Sequence, residues 1–295
     1  MTCPARVTRL WLGLALIAGS WPLNWADALW SGGPRTHWLF FPLWLGYVLV
    51  VDGWCELRAG TSAWRRSRSG FVLRFVLSAP AWWLFELLNV RLANWEYVGR
   101  ELFTDLEYAL LCTLSFSTVL PAVLGTGELV RTFSFIERFA RGPRWSRSPR
   151  KALGYFVLGL AMLTAMLVEP DWFYPFCWTS LVFLLEALAH ALGRRGLSDD
   201  LARGDWRPWW SLWIGGLACG FFWELWNFWS YPKWVYHVPG VEFAYLFEMP
   251  ALGYLGYLPF AMEVYLFANL VLPERARAGL GRWPDSESRQ HALPL

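Results

Sequence analysis

Two glutamates are the residues of this chain best suited to chemistry, because each lies in a long apolar stretch at the start of a repeated motif. The motif contains Glu86, Asn89, Trp95 and Tyr97 in its first copy and Glu224, Asn227, Trp234 and Tyr236 in its second. The Glu and Asn positions recur after 138 residues and the Trp-x-Tyr segments after 139, which indicates an internal duplication. Each Glu stands three residues before its Asn, so the pair is expected on one helix face.

A carboxyl group in an apolar span is expensive to bury and is therefore a candidate functional group. Burial favours the neutral acid, which can donate a proton as a general acid does. The faces of nearby tryptophans can stabilise a cation by up to ~2 kcal/mol where water is excluded. Acids beside aromatic faces suit the protonation of an alkene and the shelter of the resulting carbocation. They equally suit a quaternary ammonium headgroup or a sugar.

On this basis we predict a site in which Glu224 and Glu86 are proton donor and acceptor and Glu263 is a second acid. The candidate substrate-binding residues are Asn89, Asn227, Trp83, Trp223, Trp226, Trp234, Tyr236, Trp95, Tyr97 and Glu248. A structural reading of the two asparagines stays open, because amides within a membrane also hydrogen-bond neighbouring helices and fix their packing.

Metal and redox sites receive little support from the sequence. The chain has four histidines and five cysteines, and they form neither an HExxH motif nor CxxC pairs, which disfavours a zinc peptidase and a disulfide framework. A hard cation held by Glu86, Glu224, Asn89 and Asn227 is an alternative, since carboxylate and amide oxygens suit magnesium or calcium. Otherwise we expect no metal and no cofactor.

The elements that carry these residues are predicted to be transmembrane helices. Hydrophobic residues make up 56% of the chain, charged residues make up 17%, and the mean hydropathy is +0.30, whereas soluble domains carry roughly 25% charged residues. Eight apolar blocks approach the ~20 residues that cross a bilayer as a helix, namely 7–21, 37–51, 71–90, 106–124, 152–168, 174–192, 209–229 and 243–272. We therefore predict an all-α, polytopic membrane helix bundle of about eight transmembrane helices. Four spans return the chain to its starting side, so the halves should be two parallel four-helix repeats.

Basic residues lie mostly on one side of the predicted membrane. Counting Arg9 at the edge of the first block, 21 fall on the side of the N-terminus, and the other side has Arg35, Arg91, Arg100 and Lys233. This asymmetry predicts a multi-pass protein of the cell inner membrane with both termini in the cytoplasm. The net charge of +3 then reflects topology and contact with the lipid bilayer, and we expect no nucleic-acid partner.

The duplication divides the chain into two membrane repeats, residues 1–137 and 152–272, joined by an Arg-rich cytoplasmic linker at 138–151. Residues 273–295 are predicted to be a flexible C-terminal tail. The first apolar block also resembles a cleavable signal peptide, but a matching span at 151–168 in the second half favours its retention. The sequence does not indicate an oligomeric state.

The second half resembles the membrane-integral lycopene cyclases. The residues that carry the resemblance are Trp223-Glu224, Trp234-Val235-Tyr236 and the run from Gly256 through Pro259 and Glu263 to Phe267. In the first half, Phe85-Glu86-Leu87-Leu88 and Tyr97-Val98-Gly99 resemble the related carotenoid hydratase group. The resemblance implies acid-initiated, non-redox chemistry on a polyisoprenoid in carotenoid biosynthesis. The chain departs from the cyclase repeat in having one acid, Glu263, four residues after Pro259, where the cyclases have two adjacent acids just after the proline.

We therefore expect an integral membrane protein that binds a long apolar isoprenoid or membrane lipid and carries out cyclase- or hydratase-type chemistry on it. The alternative is a non-catalytic transporter or lipid-binding membrane protein, in which the paired Glu and Asn side chains coordinate a proton, a cation or a headgroup. A structural membrane subunit is a third reading.

Overall fold

The computed structural model describes residues 3–30, 37–273 and 276, and these are mostly helical. Their α-helices are, in chain order, α1 (Cys3–Trp30), α2 (His37–Ala59), α3 (Ala63–Arg66), α4 (Arg68–Leu92), α5 (Asp105–Phe116), α6 (Val119–Arg131), α7 (Pro149–Val168), α8 (Pro170–Phe173), α9 (Ser180–Ala191), α10 (Ser198–Ala202), α11 (Arg207–Phe228) and α12 (Tyr257–Val271). The strands are short: β1 (Trp95–Val98), β2 (Lys233–Tyr236), β3 (Tyr245–Leu246) and β4 (Met249–Pro250). The predicted all-helical class is confirmed.

Several of these helices are suited to a membrane. Among the described residues, five segments are long and apolar enough to cross a bilayer: Trp38–Ala59, Arg68–Leu92, Asp105–Arg131, Pro149–Val168 and Ala251–Val271. The count becomes six if Pro170–Cys177 and Ser180–Ala191, which are bent by 44°, form one span. This supports a membrane protein but does not confirm eight spans. The 22-residue helix α11 is long enough, but its five tryptophans lower its mean hydropathy, because Trp scores as slightly polar.

The predicted linker and tail stay predictions. In the linker segment, a 3₁₀-helix ends at Phe139 and α7 begins at Pro149, so a non-helical connection lies between them. It is nonetheless held in place, because the backbone N–H of Gly142 donates to the carbonyl of Gly204 at 2.9 Å. The predicted tail at 273–295 lies almost wholly outside the described residues.

Helix packing brings the two halves of the chain together. Helix α11 packs on both α6 and α12, α2 packs on α1 and α6, and α9 packs on α7 and α12. At the crossing of α11 with α6, a Cβ added to Gly215 would lie 2.8 Å from the backbone nitrogen of Gly127. Such small residues let helix backbones approach closely.

An aromatic core lies where the halves meet. Trp44 of α2 packs on Trp223 of α11 with ring centroids 4.8 Å apart, and Trp178, just before α9, stacks on Phe85 of α4 at 5.4 Å. Phe260 of α12 lies edge-on to Phe85, Trp178 and Trp223, at 5.6, 5.8 and 6.2 Å. Aromatic pairs at these separations contribute about 0.5–1.5 kcal/mol beyond the area that they bury. The two glutamates lie next to this core along the chain, since Glu86 follows Phe85 and Glu224 follows Trp223.

Two further acids, Asp52 and Glu186, accept hydrogen bonds from the backbone of short connecting helices. Asp52 Oδ1 of α2 accepts the backbone N–H of Trp64 in α3 at 3.1 Å. Glu186 of α9 accepts the backbone N–H groups of Leu197 and Ser198, at the start of α10, at 2.8 and 3.1 Å. Both carboxylates therefore have a local structural role, and they occupy corresponding places near the ends of the second and sixth predicted spans.

Candidate functional site

Each asparagine of the repeated motif fastens the strand that follows its helix. Asn89 Oδ1 accepts the backbone N–H of Asn94 at 2.9 Å, and its Nδ2 donates to the carbonyl of Trp95 at 2.7 Å. Asn227 makes the same pair of bonds with the backbone of Trp234, at 2.9 Å to the N–H and 2.7 Å to the carbonyl. Because both ends of each amide bind backbone, the asparagines position the Trp-x-Tyr strands. Their predicted contact with substrate stays a prediction.

The two Trp-x-Tyr segments form an antiparallel ribbon. The register pairs Trp95 with Tyr236, Glu96 with Val235, Tyr97 with Trp234 and Val98 with Lys233. The Trp of each copy thus lies opposite the Tyr of the other, and the two middle residues face each other. The ribbon joins the first half of the chain to the second above the aromatic core.

Glu86 of α4 is surrounded by hydrogen-bond donors. Its Oε1 accepts the Tyr97 hydroxyl at 2.6 Å, the indole N–H of Trp82 at 2.8 Å and the indole N–H of Trp95 at 3.3 Å. The side chain is half-buried. Three donors on one oxygen favour a carboxylate at this position, since charge strengthens each bond.

Glu224 of α11 has a different environment. Its side chain is 0% exposed, and its Oε1 accepts the hydroxyls of Tyr236 and Tyr257, both at 2.7 Å. The indole of Trp234 in turn donates to the Tyr236 hydroxyl at 2.9 Å. Its Oε2 is buried and has no hydrogen-bond partner among the described residues. One oxygen is therefore held by two phenols, and the other is free to carry a proton.

The phenols of the ribbon remain proton donors. Burial raises the pKa of Tyr97 and of Tyr236 well above the usual value, and the neighbouring charge of Glu86 raises the pKa of Tyr97 further. Both phenols therefore stay protonated at ordinary pH, and each keeps its O–H directed at a glutamate.

A cavity of about 470 Å³ lies between the ribbon and the aromatic core. Its volume falls within the ~300–1,000 Å³ that is typical of small-molecule sites. Of the 34 described residues that line it, 14 are aromatic, including Trp82, Trp95, Trp178, Trp223, Trp234, Tyr97, Tyr236, Tyr257 and Phe260. Glu86 and Glu224 lie just behind this wall, each bonded to phenols or indoles that line the cavity.

The two glutamates obtain their last aromatic donor from different places. Trp82, which donates to Glu86, has Gly220 as its counterpart 138 residues later. Tyr257, which donates to Glu224, has Val119 as its counterpart 138 residues earlier. A Cβ on Gly220 would lie 2.3 Å from the ring of Tyr257, so the missing side chain makes room for that ring. Sequence reasoning missed the role of Tyr257, although the replacement of Trp by Gly in the second copy was a usable signal.

The remaining predicted residues are not all in the cavity. Of them, Trp83 donates from its indole to Thr113 Oγ1 at 3.0 Å, Trp226 packs on Trp44 at 5.0 Å, and Glu248 forms an ion pair with Lys233. Glu263 of α12 is 2% exposed and lies away from the cavity wall. Neither of its carboxyl oxygens has a hydrogen-bond partner in the part of the chain that the structure describes.

The arrangement does not favour the hard-cation alternative. Both asparagine oxygens are directed at backbone N–H groups, so they do not converge with the glutamates on a common point. Within residues 3–30 and 37–273, no group of three or more His, Cys, Asp or Glu side chains is placed to hold a metal ion.

Comparison of the chain with protein-family models, with curated proteins and with solved structures gives no match. The resemblance to the membrane-integral lycopene cyclases is therefore neither supported nor opposed by a relative. The function has to be argued from the site itself.

Proposed function

We propose that the aromatic cavity binds an isoprenoid or lipid chain and that Glu224 starts acid-initiated, non-redox chemistry on it. The observation that carries this proposal is the state of Glu224, a fully buried carboxyl with Oε1 held by two cavity-lining phenols and Oε2 without a partner among the described residues. A proton on Oε2 keeps the buried group uncharged, which avoids the large cost of an isolated buried charge.

The proposal includes an eight-span architecture of two parallel four-helix repeats in the cell inner membrane, with both termini cytoplasmic. The register of the ribbon supports it, because the Trp of each strand pairs with the Tyr of the other and the middle residues pair together, as two copies of one strand would. The contacts of Trp44 with Trp223 and of Trp178 with Phe85 support it too. Trp44 and Trp178 hold matching places in the second and sixth predicted spans, and Trp223 and Phe85 each directly precede the Glu of the motif, so the same contact is made twice between the halves. Parallel repeats are related by an axis along the membrane normal.

In the proposed reaction, the hydroxyl of Tyr236 or Tyr257, which lines the cavity, gives its proton to an alkene carbon of the bound isoprenoid and takes up the proton of Glu224 in its place. A C–H bond forms, the π bond is lost, and a carbocation remains on the neighbouring carbon. The hydroxyls of Tyr236 and Tyr257 stabilise the carboxylate left on Glu224, as fixed donors do when they face developing negative charge. The indole faces of Trp223 and Trp234 shelter the cation.

The reaction ends when the cation loses a proton from an adjacent carbon or captures water. In the first case, which is an isomerisation or cyclisation, the Tyr97 hydroxyl, which lines the cavity, takes up the proton and passes its own to Glu86. The three donors to Glu86 favour the carboxylate form that this step requires. The electrons of the broken C–H bond form the new alkene. No redox partner is needed, because one proton enters the substrate and one leaves it.

The test starts from the lipid that co-purifies with the protein, identified by mass spectrometry after extraction. That lipid is then supplied to membranes containing the wild type, Glu224→Gln, Glu86→Gln or Glu101→Gln, the last being an exposed control on the same outer side. Loss of a general acid lowers the rate by roughly 10²–10⁴-fold, so we expect Glu224→Gln to lose conversion while it still inserts and binds. Full conversion by Glu224→Gln would show that the proposal is wrong. Proton-coupled uptake into vesicles without a product would favour a transporter.

A further inference from the structure

The charge of the cavity wall identifies one property of its ligand. Among the described residues that line the cavity, the charged ones are Arg100 and Lys233, and both are cations. The acids of the site lie outside the lining, Glu86 and Glu224 behind the aromatic wall and Glu248 beside Lys233. A neutral hydrocarbon would leave these two cations without a function in the cavity.

Arg100 and Lys233 lie at the same end of the ribbon. Lys233 begins β2 opposite Val98, which ends β1. Gly99 follows with φ of +91°, and a Cβ there would lie 2.9 Å from the Cβ of Pro232. Arg100 therefore leaves the ribbon at the same end as Lys233, and both side chains face the same cavity.

The present partners of Arg100 leave it able to receive an anion. It forms an ion pair with Asp105, whose side chain is 98% exposed, and donates to the carbonyl of Phe103 at 3.0 Å. A pair with a fully solvated carboxylate is weak. Its guanidinium also lies 4.2 Å from the ring centroid of Tyr108, another residue that lines the cavity. A planar guanidinium that stacks on a ring can still bind an anion through two N–H donors.

Lys233 is held more tightly. It pairs with Glu248 and donates to the carbonyl of Phe228 at 3.4 Å. The ammonium has three donors, so a third contact remains possible without loss of these two. The pair of cations thus combines a planar, bidentate donor with a point charge, which is a common set for phosphate and carboxylate.

We propose that the ligand is an amphiphile, with its apolar chain among the indoles and phenols and an anionic headgroup, phosphate or carboxylate, at Arg100 and Lys233. The inference rests on the proposed function, because it takes the apolar chain as given. It places the headgroup at the outer end of the ribbon and the chain toward Glu224, so that acid chemistry acts on an alkene while the headgroup stays attached.

The test measures binding by quenching of tryptophan fluorescence in the full-length protein, purified in lipid nanodiscs. Four probes are titrated: geranylgeranyl diphosphate, geranylgeranoic acid, geranylgeraniol and inorganic diphosphate. We expect one or both of the anionic amphiphiles to bind at least tenfold more tightly than the alcohol, and their affinity to fall as salt is raised. Whichever anion binds better identifies the headgroup.

The variants are Arg100→Gln, Arg100→Lys and the double change Lys233→Gln with Glu248→Gln, which leaves no unpaired carboxylate. Arg91→Gln, an exposed arginine on the same side but outside the cavity, is the control. Arg100→Gln and the double variant should reduce the preference for the anion to under threefold, whereas Arg100→Lys and Arg91→Gln should keep most of it. If Arg100→Gln misfolds, two other measurements still test the proposal: the salt dependence of binding by the wild type, and the affinity of Arg100→Lys, which retains the charge.

The outcomes separate this inference from the proposed function. Equal affinity for the alcohol and the anions, with no effect of salt, would overturn the headgroup but keep the apolar chain. Inorganic diphosphate binding as tightly as the prenyl diphosphate would mean a site for a free anion and would also overturn it. Failure of all three prenyl probes to bind would contradict the proposed function itself.

Discussion

Glu86 and Glu224 occupy the same position of a repeated motif but have unlike surroundings. Glu86 is half-buried and accepts three donors, two of them indoles, whereas Glu224 is fully buried and accepts two phenols on one oxygen. The parts that the copies share are those that hold the ribbon, and the parts that differ are those that set the protonation of the acid. The two copies of the motif thus share their scaffold and differ in the surroundings of the acid, which is the arrangement that the proposed reaction requires if one copy donates a proton and the other accepts it.

The largest expected effect comes from giving the second site the residues of the first. Gly220→Trp places a large side chain where the ring of Tyr257 already lies, and we expect the protein to lose more than ~3 kcal/mol of unfolding free energy, because overpacking a tight core forces strain. Adding Tyr257→Val, the residue type of the first half, should restore much of that loss. Thermal unfolding in detergent measures both variants.

Gly154→Trp in α7 is the matched control, since a Cβ there meets nothing within 4 Å. It should unfold at the wild-type temperature. If Tyr257→Val gave no recovery in the Gly220→Trp background, the two sites would not be related by this exchange of residues.

The next effect concerns the asparagines. Asn227→Ala removes the side-chain partners of the Trp234 backbone in a fully buried place. Asn89→Ala removes the partners of the Asn94 N–H and the Trp95 carbonyl where the side chain is half-buried. Leaving buried backbone groups unpaired costs about 1–3 kcal/mol, and we expect Asn227→Ala near the upper end and Asn89→Ala near the lower. Thermal unfolding again provides the measurement. Wild-type stability of both variants, with loss of ligand binding alone, would instead support the predicted substrate contact.

A smaller effect is expected from single phenol hydroxyls. Tyr257→Phe leaves Glu224 with one of its two donors, and Tyr97→Phe leaves Glu86 with two of its three. A hydrogen bond of this kind contributes about 1–2 kcal/mol, so Tyr257→Phe should be the more destabilising of the two. Equal shifts in unfolding temperature would show that the two sites are energetically alike, which contradicts the contrast drawn above.

The smallest effect belongs to the ion pair that crosses the ribbon. His237 Nε2 lies 3.1 Å from Glu96 Oε1, and both side chains are more than half exposed. Exposed pairs contribute at most about 1 kcal/mol and weaken in salt, so His237→Ala should change the unfolding free energy by less than that. A loss above ~2 kcal/mol would mean that the ribbon depends on this contact and not on the asparagines.

The spacing of the repeated motif predicted part of the local geometry around the two glutamates. The helix that carries each Glu and Asn could be inferred from their three-residue separation, and the correspondence of the two copies from the 138-residue offset. The contact between each Glu and the Tyr of its own copy is local, since only 11 or 12 residues separate the partners. Such contacts follow from a helix that ends and a chain that turns back.

The contacts that sequence reasoning missed are those between distant elements. Tyr257 reaches Glu224 from another helix, 33 residues away, and the ribbon pairs strands of only four residues from opposite halves of the chain. Neither leaves a periodic pattern in the sequence. Hydropathy alone also does not fix the number of spans, because the tryptophans of α11, which pack in the cavity wall and the core, lower the mean hydropathy of that helix.

The register of the ribbon bears on how the chain arose. Glu96 faces Val235, its own counterpart, and the positions on either side exchange partners symmetrically, so two copies of a single strand would pair in the same way. Two identical half-length chains could thus have met about a two-fold axis, as in an isologous dimer. In such an ancestor every substitution would appear on both sides of the cavity. Fusion into one chain removes that restriction, and it lets one acid gain Tyr257 while the other keeps Trp82.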